Sequence, residues 1–161
     1  MDESKQRGIG SALGRIPSGV FIVTARHEDR RTGMMASWIQ QLCFEPPMVS
    51  IAVAKGRPIM PLISESRRFG VCQLPVGEKV ITRKFEVGIV PGDDPFLGFE
   101  MLNHCECGVP ILANVLAYVV CDLTCHMDVE GDHDLFIGTV TAGDYIAGEP
   151  QIRLRDSGFT Y

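Results

Sequence analysis

The feature that most constrains this chain is how its apolar residues are grouped. Short runs rich in β-branched and aromatic residues are separated by turn residues, and few helical stretches lie between them. Gly19-Val-Phe-Ile-Val-Thr-Ala25 reads as a strand, followed by a turn over His27–Gly33 and a second strand over Met34–Gln41. Pro46-Pro47 stops that run, and Met48–Val53 resumes as a third. Phe69–Leu74 is a fourth. Leu116–Val129 and Leu135–Ile146 form a long hairpin that turns at Glu130-Gly-Asp-His133. The first ten residues read as a loose tail leading into a short helix near Ser11–Arg15. Pro58 opens a second helix towards Arg67, and Glu78–Glu86 spaces Val80, Ile81 and Phe85 as a third. Gly88–Pro110, with its glycines and prolines, reads as an irregular surface excursion. About six strands with so few helices do not alternate as βαβ units, which leaves a mainly antiparallel barrel or sandwich.

The 161 residues suffice for one domain with a core, taken as 1–161. Met1–Gly19 carries Asp2, Glu3, Lys5, Arg7 and Arg15 and does not read as a secretory signal. No apolar window has the length of a membrane span. The expectation is therefore a cytoplasmic protein without a membrane partner. Net charge is −5 and the fifteen Lys and Arg residues are dispersed, unlike the concentrated basic surface of a nucleic-acid binder. The cysteines at 43, 72, 105, 107, 121 and 125 lack the two-residue spacing of a zinc knuckle. Cys121 and Cys125 would share a face on a regular strand, with His104 or His126 as further ligands for a metal. Ordinary reduced, partly buried thiols are the better explanation, and no metal is assigned.

Three segments carry chemistry. Met35-Ala-Ser-Trp-Ile-Gln40 sets a hydroxyl, an indole and amides close together on a strand, although a strand with one polar edge would look the same. Ala54-Lys-Gly-Arg-Pro58 joins a strand to a helix start. Backbone N–H groups, Lys55 and Arg57 there suit an anion, a phosphate above all, and the plain alternative is a solvated basic loop. In Gly131-Asp-His133 the turn explains Gly131 and Asp132 but does not demand His133, which can donate a hydrogen bond or relay a proton. No Gly-x-Gly-x-x-Gly, Walker loop or Gly-x-Ser-x-Gly elbow is present, so the dinucleotide-fold, P-loop and α/β-hydrolase routes have no support.

These segments, in this order, resemble the flavin reductase-like family with the FMN-binding split barrel, and in particular the flavin reductase domain of flavodiiron proteins. The resemblance rests on Gly14-Arg-Ile-Pro-Ser-Gly-Val-Phe-Ile-Val-Thr24, Ala36-Ser-Trp-Ile-Gln40, Phe44-Glu-Pro-Pro47 and Ala52-Val-Ala-Lys55. Gly108-Val-Pro-Ile-Leu112, Ala117-Tyr118 and Gly131-Asp-His133 complete it. It implies a six-stranded antiparallel Greek-key split β-barrel with short flanking helices, usually a homodimer. It also implies FMN in preference to FAD, NADH or NADPH as electron donor, and an acceptor or redox partner protein, without diiron chemistry. By position, Met35, Ala36, Ser37, Trp38 and Ile39 would line the flavin ring and ribityl chain, and Ala54, Lys55 and Arg57 would hold its phosphate. Phe85 would approach the ring from the side, and His133 would sit by the nicotinamide as the catalytic residue. An alternative within the resemblance is a flavin-bound carrier reduced by a partner protein. Two departures stand out: Cys72 where relatives commonly have Asn, and Met34-Met35 where Thr or Ser often precedes Ala-Ser.

Overall fold

The computed structural model describes residues 2–90, 92–102, 108–156 and 159. Along the chain run α1 (Glu3–Gly14), β1 (Phe21–His27), β2 (Arg30–Ala36), β3 (Ile39–Phe44) and β4 (Pro47–Ala54). Then come α2 (Ile59–Ser66), β5 (Arg68–Gln73), α3 (Val80–Glu86), β6 (Ala117–Asp128) and β7 (His133–Tyr145). The strands form one antiparallel sheet in the order β2-β1-β5-β6-β7-β4-β3.

That order forces closure. Seven strands laid flat at about 4.8 Å spacing would set the outer two about 29 Å apart. Yet β2 and β3, at opposite edges, are joined by Ser37 and Trp38 alone, a link that reaches about 10 Å. The sheet must therefore curl until its edges meet, giving a split barrel. The Trp38 carbonyl accepts from the Ala52 amide at 3.0 Å at this seam. The stretch expected as one strand over Met34–Gln41 is thus two strands, which raises the count from six to seven. Sequence periodicity cannot show that break, because Ser37-Trp38 carries no turn residue of the Gly or Pro kind.

One apolar cluster draws Val23, Ala36, Ile51, Val53, Phe69, Val71, Leu123 and Phe136 from strands all round the sheet, so it fills the barrel interior. Helix α2 closes over it with Ile59, Leu62 and Ile63, whose i, i+3, i+4 spacing makes one apolar stripe. A second cluster sits on the outside of β1 and β5, where Ile22 and Cys72 meet Ile81 and Phe85 of α3, Phe96 and Val109 of the long excursion, and Ile111 and Leu112 just after it. Both faces of β1 and β5 are therefore covered, which explains their unbroken buried runs, Ile22–Ala25 and Phe69–Cys72. Helix α1 begins at Glu3, earlier than the tail expected from sequence. Asp2 caps it through Ser4 N–H at 3.4 Å, and only Gly10 and Gly14 of the helix are buried.

The β6–β7 pairing shifts register between Leu123 and Cys125. Alternation breaks there, so Cys121 is buried while Cys125 is half-exposed, and the shared face expected for the two cysteines is lost. Cys105, Cys107 and His104 lie outside the described residues. Among the described residues no His, Cys, Asp and Glu grouping suits a metal ion. No helix among them is long and apolar enough to cross a membrane.

Candidate functional site

A cleft of about 660 Å³ opens where the barrel splits, within the range of small-molecule and cofactor sites. Strand β2 forms one wall from Thr32 to Ala36 and hands over to Ser37. This strand pairs on one side only, so alternate residues present unpaired N–H and C=O groups at the seam. Opposite lie Ala52 and Ala54 of β4, whose small side chains leave room, with Arg57, Pro58 and Ile59 at the entry to α2. Gly56 has φ +81, a conformation glycine adopts without strain, and it turns the chain between β4 and α2. Phe85 and Glu86 of α3, with Ile89, make a third wall.

His133 reaches the cleft because β7 starts there, paired with Ala54 in register, and Lys55 N–H donates to the Asp132 carbonyl at 2.9 Å. Its Nδ1 lies 2.9 Å from Asp132 Oδ1. The bond to His133 holds the Asp132 carboxyl below the usual range. That carboxylate can only accept, so Nδ1 carries the donating proton. Trp38 packs against the same imidazole, ring centroids 4.8 Å apart, and the Arg155 guanidinium lies 5.0 Å over the indole.

Of the ten residues named from sequence, Met35, Ala36, Ser37, Ala54, Arg57, Phe85 and His133 line this cleft. Trp38 stands behind it as a support for His133. Ile39 pairs with Ile51 and packs on the interior cluster. Lys55 turns away: its Nζ is 2.7 Å from Asp128 and 3.6 Å from the buried Asp134, which also meets His126 Nε2 at 2.7 Å. The loop therefore presents Arg57 alone to the cleft, and Lys55 fastens the loop to the β6–β7 hairpin. Cys72 does not line the cleft. It is buried in the second cluster, and burial pushes its thiol up to about 12. An amide at this position would face α3 and Leu112 rather than a ligand.

Sequence reasoning missed Ser18 and the strap 149–156, which places Arg153, Leu154, Arg155 and Asp156 on the cleft. The strap is held by backbone bonds: Ser18 N–H to the Arg153 carbonyl, Arg153 N–H to the Ser18 carbonyl, and Arg155 N–H to the Gly14 carbonyl, at 3.1, 2.8 and 2.9 Å. No local pattern predicts a contact between segments so distant in sequence. Thr32 and Gly33, read from sequence as part of the turn His27–Gly33, are strand instead: β2 begins at Arg30 and carries them into the cleft wall ahead of Met34.

The Asp128–Lys55 pair gives a pH signature. The Lys55 bond holds Asp128 below the usual carboxylate range, and the same bond raises Lys55. The depressed carboxyl contributes stability that is complete above about pH 4 and is lost as pH falls through its lower native value. The raised ammonium contributes stability that is complete below about pH 10 and is lost as pH rises through its higher native value. Asp128→Asn is expected to flatten both limbs of the stability profile measured by urea unfolding, with the larger change in the acid limb because Glu130 N–H also donates to the charged carboxylate, at 2.7 Å. A variant with unaltered limbs would remove this pair from the account.

The family model "Flavin reductase like domain" matches residues 13–157. A Nostoc sp. (strain PCC 7120 / SAG 25.82 / UTEX 2576) protein named as a diflavin flavoprotein is 40% identical over 136 residues, 84% of this chain and 23% of that relative. The chain thus spans less than a quarter of the length of this curated relative. The Streptomyces globisporus C-1027 NADH:FAD oxidoreductase SgcE6 superposes with a TM-score of 0.80 at 27% identity, covering 92% of this chain and 86% of that one. The same protein in complex with NAD and FAD fragments gives 0.79 at 26%, covering 89% and 85%. A split barrel closed through a two-residue seam, a cleft at that seam, and a match over nearly the whole length agree: the chain belongs to the flavin reductase like domain family.

Proposed function

We propose that the cleft binds FMN and that the protein passes electrons from NADH or NADPH through it to an acceptor, as a flavin reductase of the cytoplasm. The observation that carries this reading is the convergence of the β2 edge, the Arg57 loop and His133 on one cleft. The group fits the residues present. A planar heterocycle with hydrogen-bonding groups along one edge suits the unpaired backbone of β2. Gly33 leaves room for the Phe85 wall beside that strand, because a Cβ would sit 2.8 Å from the Phe85 ring. Similarity to an NADH:FAD oxidoreductase supports a nicotinamide donor, and the resemblance of the sequence to FMN-binding split barrels supports FMN in preference to FAD.

When bound, the flavin supplies a hydride acceptor. The chain supplies position and environment. Arg57 binds the phosphate, and Ser37 and the β2 backbone bond the polar edge of the ring system. Phe85 and Ile89 exclude water from one side. His133, its Nδ1 proton held by Asp132 and its ring braced by Trp38, orients the nicotinamide amide by hydrogen bonding. Arg57→Ala removes a charge-assisted bond, so FMN affinity should fall roughly tenfold to a hundredfold. Quenching of flavin fluorescence on titration measures this, and unchanged affinity would take Arg57 out of the phosphate site.

A further inference from the structure

We infer that Arg153, carried on the strap 149–156, is a second phosphate-binding residue that works with Arg57. The inference rests on the flavin reading above and deepens it. Lys55 fits the phosphate role by sequence, but its ammonium is bonded to Asp128 and paired with Asp134. Arg155, also on the strap, is stacked over Trp38. Arg57 and Arg153 line the cleft, as Arg155 does, but among the described residues neither of these two guanidinium groups has a side-chain or carbonyl partner. Two guanidinium groups on one cleft without a carboxylate partner favour an anionic ligand there, and the oxygens of a phosphate can accept from more than one planar fork. The carboxylates of Glu86 and Asp156 also line the cleft but pair with neither arginine.

The backbone fixes Arg153 well enough for this task. Ser18 and Arg153 exchange both of their N–H···O bonds, and Val76 N–H donates to the Glu149 carbonyl at 2.9 Å further along the strap. The phosphate recognised could belong to FMN or to the nicotinamide dinucleotide, and the two ligands separate these sources.

The test compares FMN with riboflavin, which differ by the phosphate alone, on the wild-type chain and on Arg153→Ala, Arg153→Lys and Arg30→Ala. Arg30 pairs with Glu65 away from the cleft and controls for the loss of one positive charge. In R153A the preference for FMN over riboflavin should shrink about tenfold with riboflavin affinity held within about twofold; R153K should lose less, and R30A should keep the full preference. A preserved FMN preference with a tenfold higher KM for NADH and NADPH would assign the same arginine to the dinucleotide phosphates. Preference and KM both unchanged in R153A, in a protein that melts as the wild type does, would overturn the inference. Failure of the wild type to bind either flavin would instead overturn the flavin reading, and is seen before any variant is made.

Discussion

Phe136→Ala should cost about 3–5 kcal/mol, a large share of the total stability of a domain of this size. Phe136 is fully buried in the barrel interior, among Phe69, Ile51 and Val71, and its ring stacks face to face on His126 with centroids 4.2 Å apart. The strands around it are closed into a barrel, so they cannot collapse into the space as an open sheet could, and the cavity persists. The melting temperature should fall by on the order of 10 °C. Phe136→Leu, which refills most of the volume, should recover more than half of the loss. A fall below about 1 kcal/mol in the alanine variant, measured by urea unfolding, would mean that the interior cluster is not the core described here.

Gly33→Val should damage the site more than the fold. An added Cβ would stand 2.8 Å from Phe85, 3.2 Å from Phe96 and 3.3 Å from the Val23 carbonyl. The backbone oxygen cannot yield, so the rings must. Phe85 forms a wall of the cleft and is coupled to Phe96 at 5.9 Å between centroids. Phe96 is itself held under the Arg31 guanidinium, which binds Asp94 through two N–H···O bonds. Movement of Phe85 into the cleft removes space next to the ring-binding edge of β2. The expected overpacking cost is about 1–3 kcal/mol, with flavin affinity reduced at least tenfold, about 1.4 kcal/mol. Wild-type flavin affinity in a folded Gly33→Val protein would show that the ligand does not occupy the space between β2 and α3.

The strands were legible because β-branched runs such as Phe21–Val23 and Ile51–Val53 need only local information, and the antiparallel class followed from the lack of helical crossovers. The seam at Ser37-Trp38 was not legible. Nothing local marks a chain leaving one edge of a sheet for the other, because the cause is closure of the whole barrel. The site divides in the same way. His133 and Arg57 were found since turn chemistry left the histidine unexplained and the Gly-containing loop preceded a helix. Lys55 had the same sequence credentials as Arg57, yet its partner Asp128 lies 73 positions away, and only the fold reveals that pairing. Arg153 has no local signal at all: its place on the cleft depends on two backbone bonds to Ser18.

On the proposed function, this cleft holds a flavin that receives electrons from a nicotinamide cofactor. An anaerobic visible spectrum of the purified protein with added FMN, then with NADH and NADPH, tests it most directly. The account predicts a perturbed flavin spectrum on binding, followed by bleaching of the visible bands with one or both nicotinamides at a rate well above that of free FMN. Binding without any acceleration of reduction, or a flavin spectrum that the protein leaves unchanged, would contradict it.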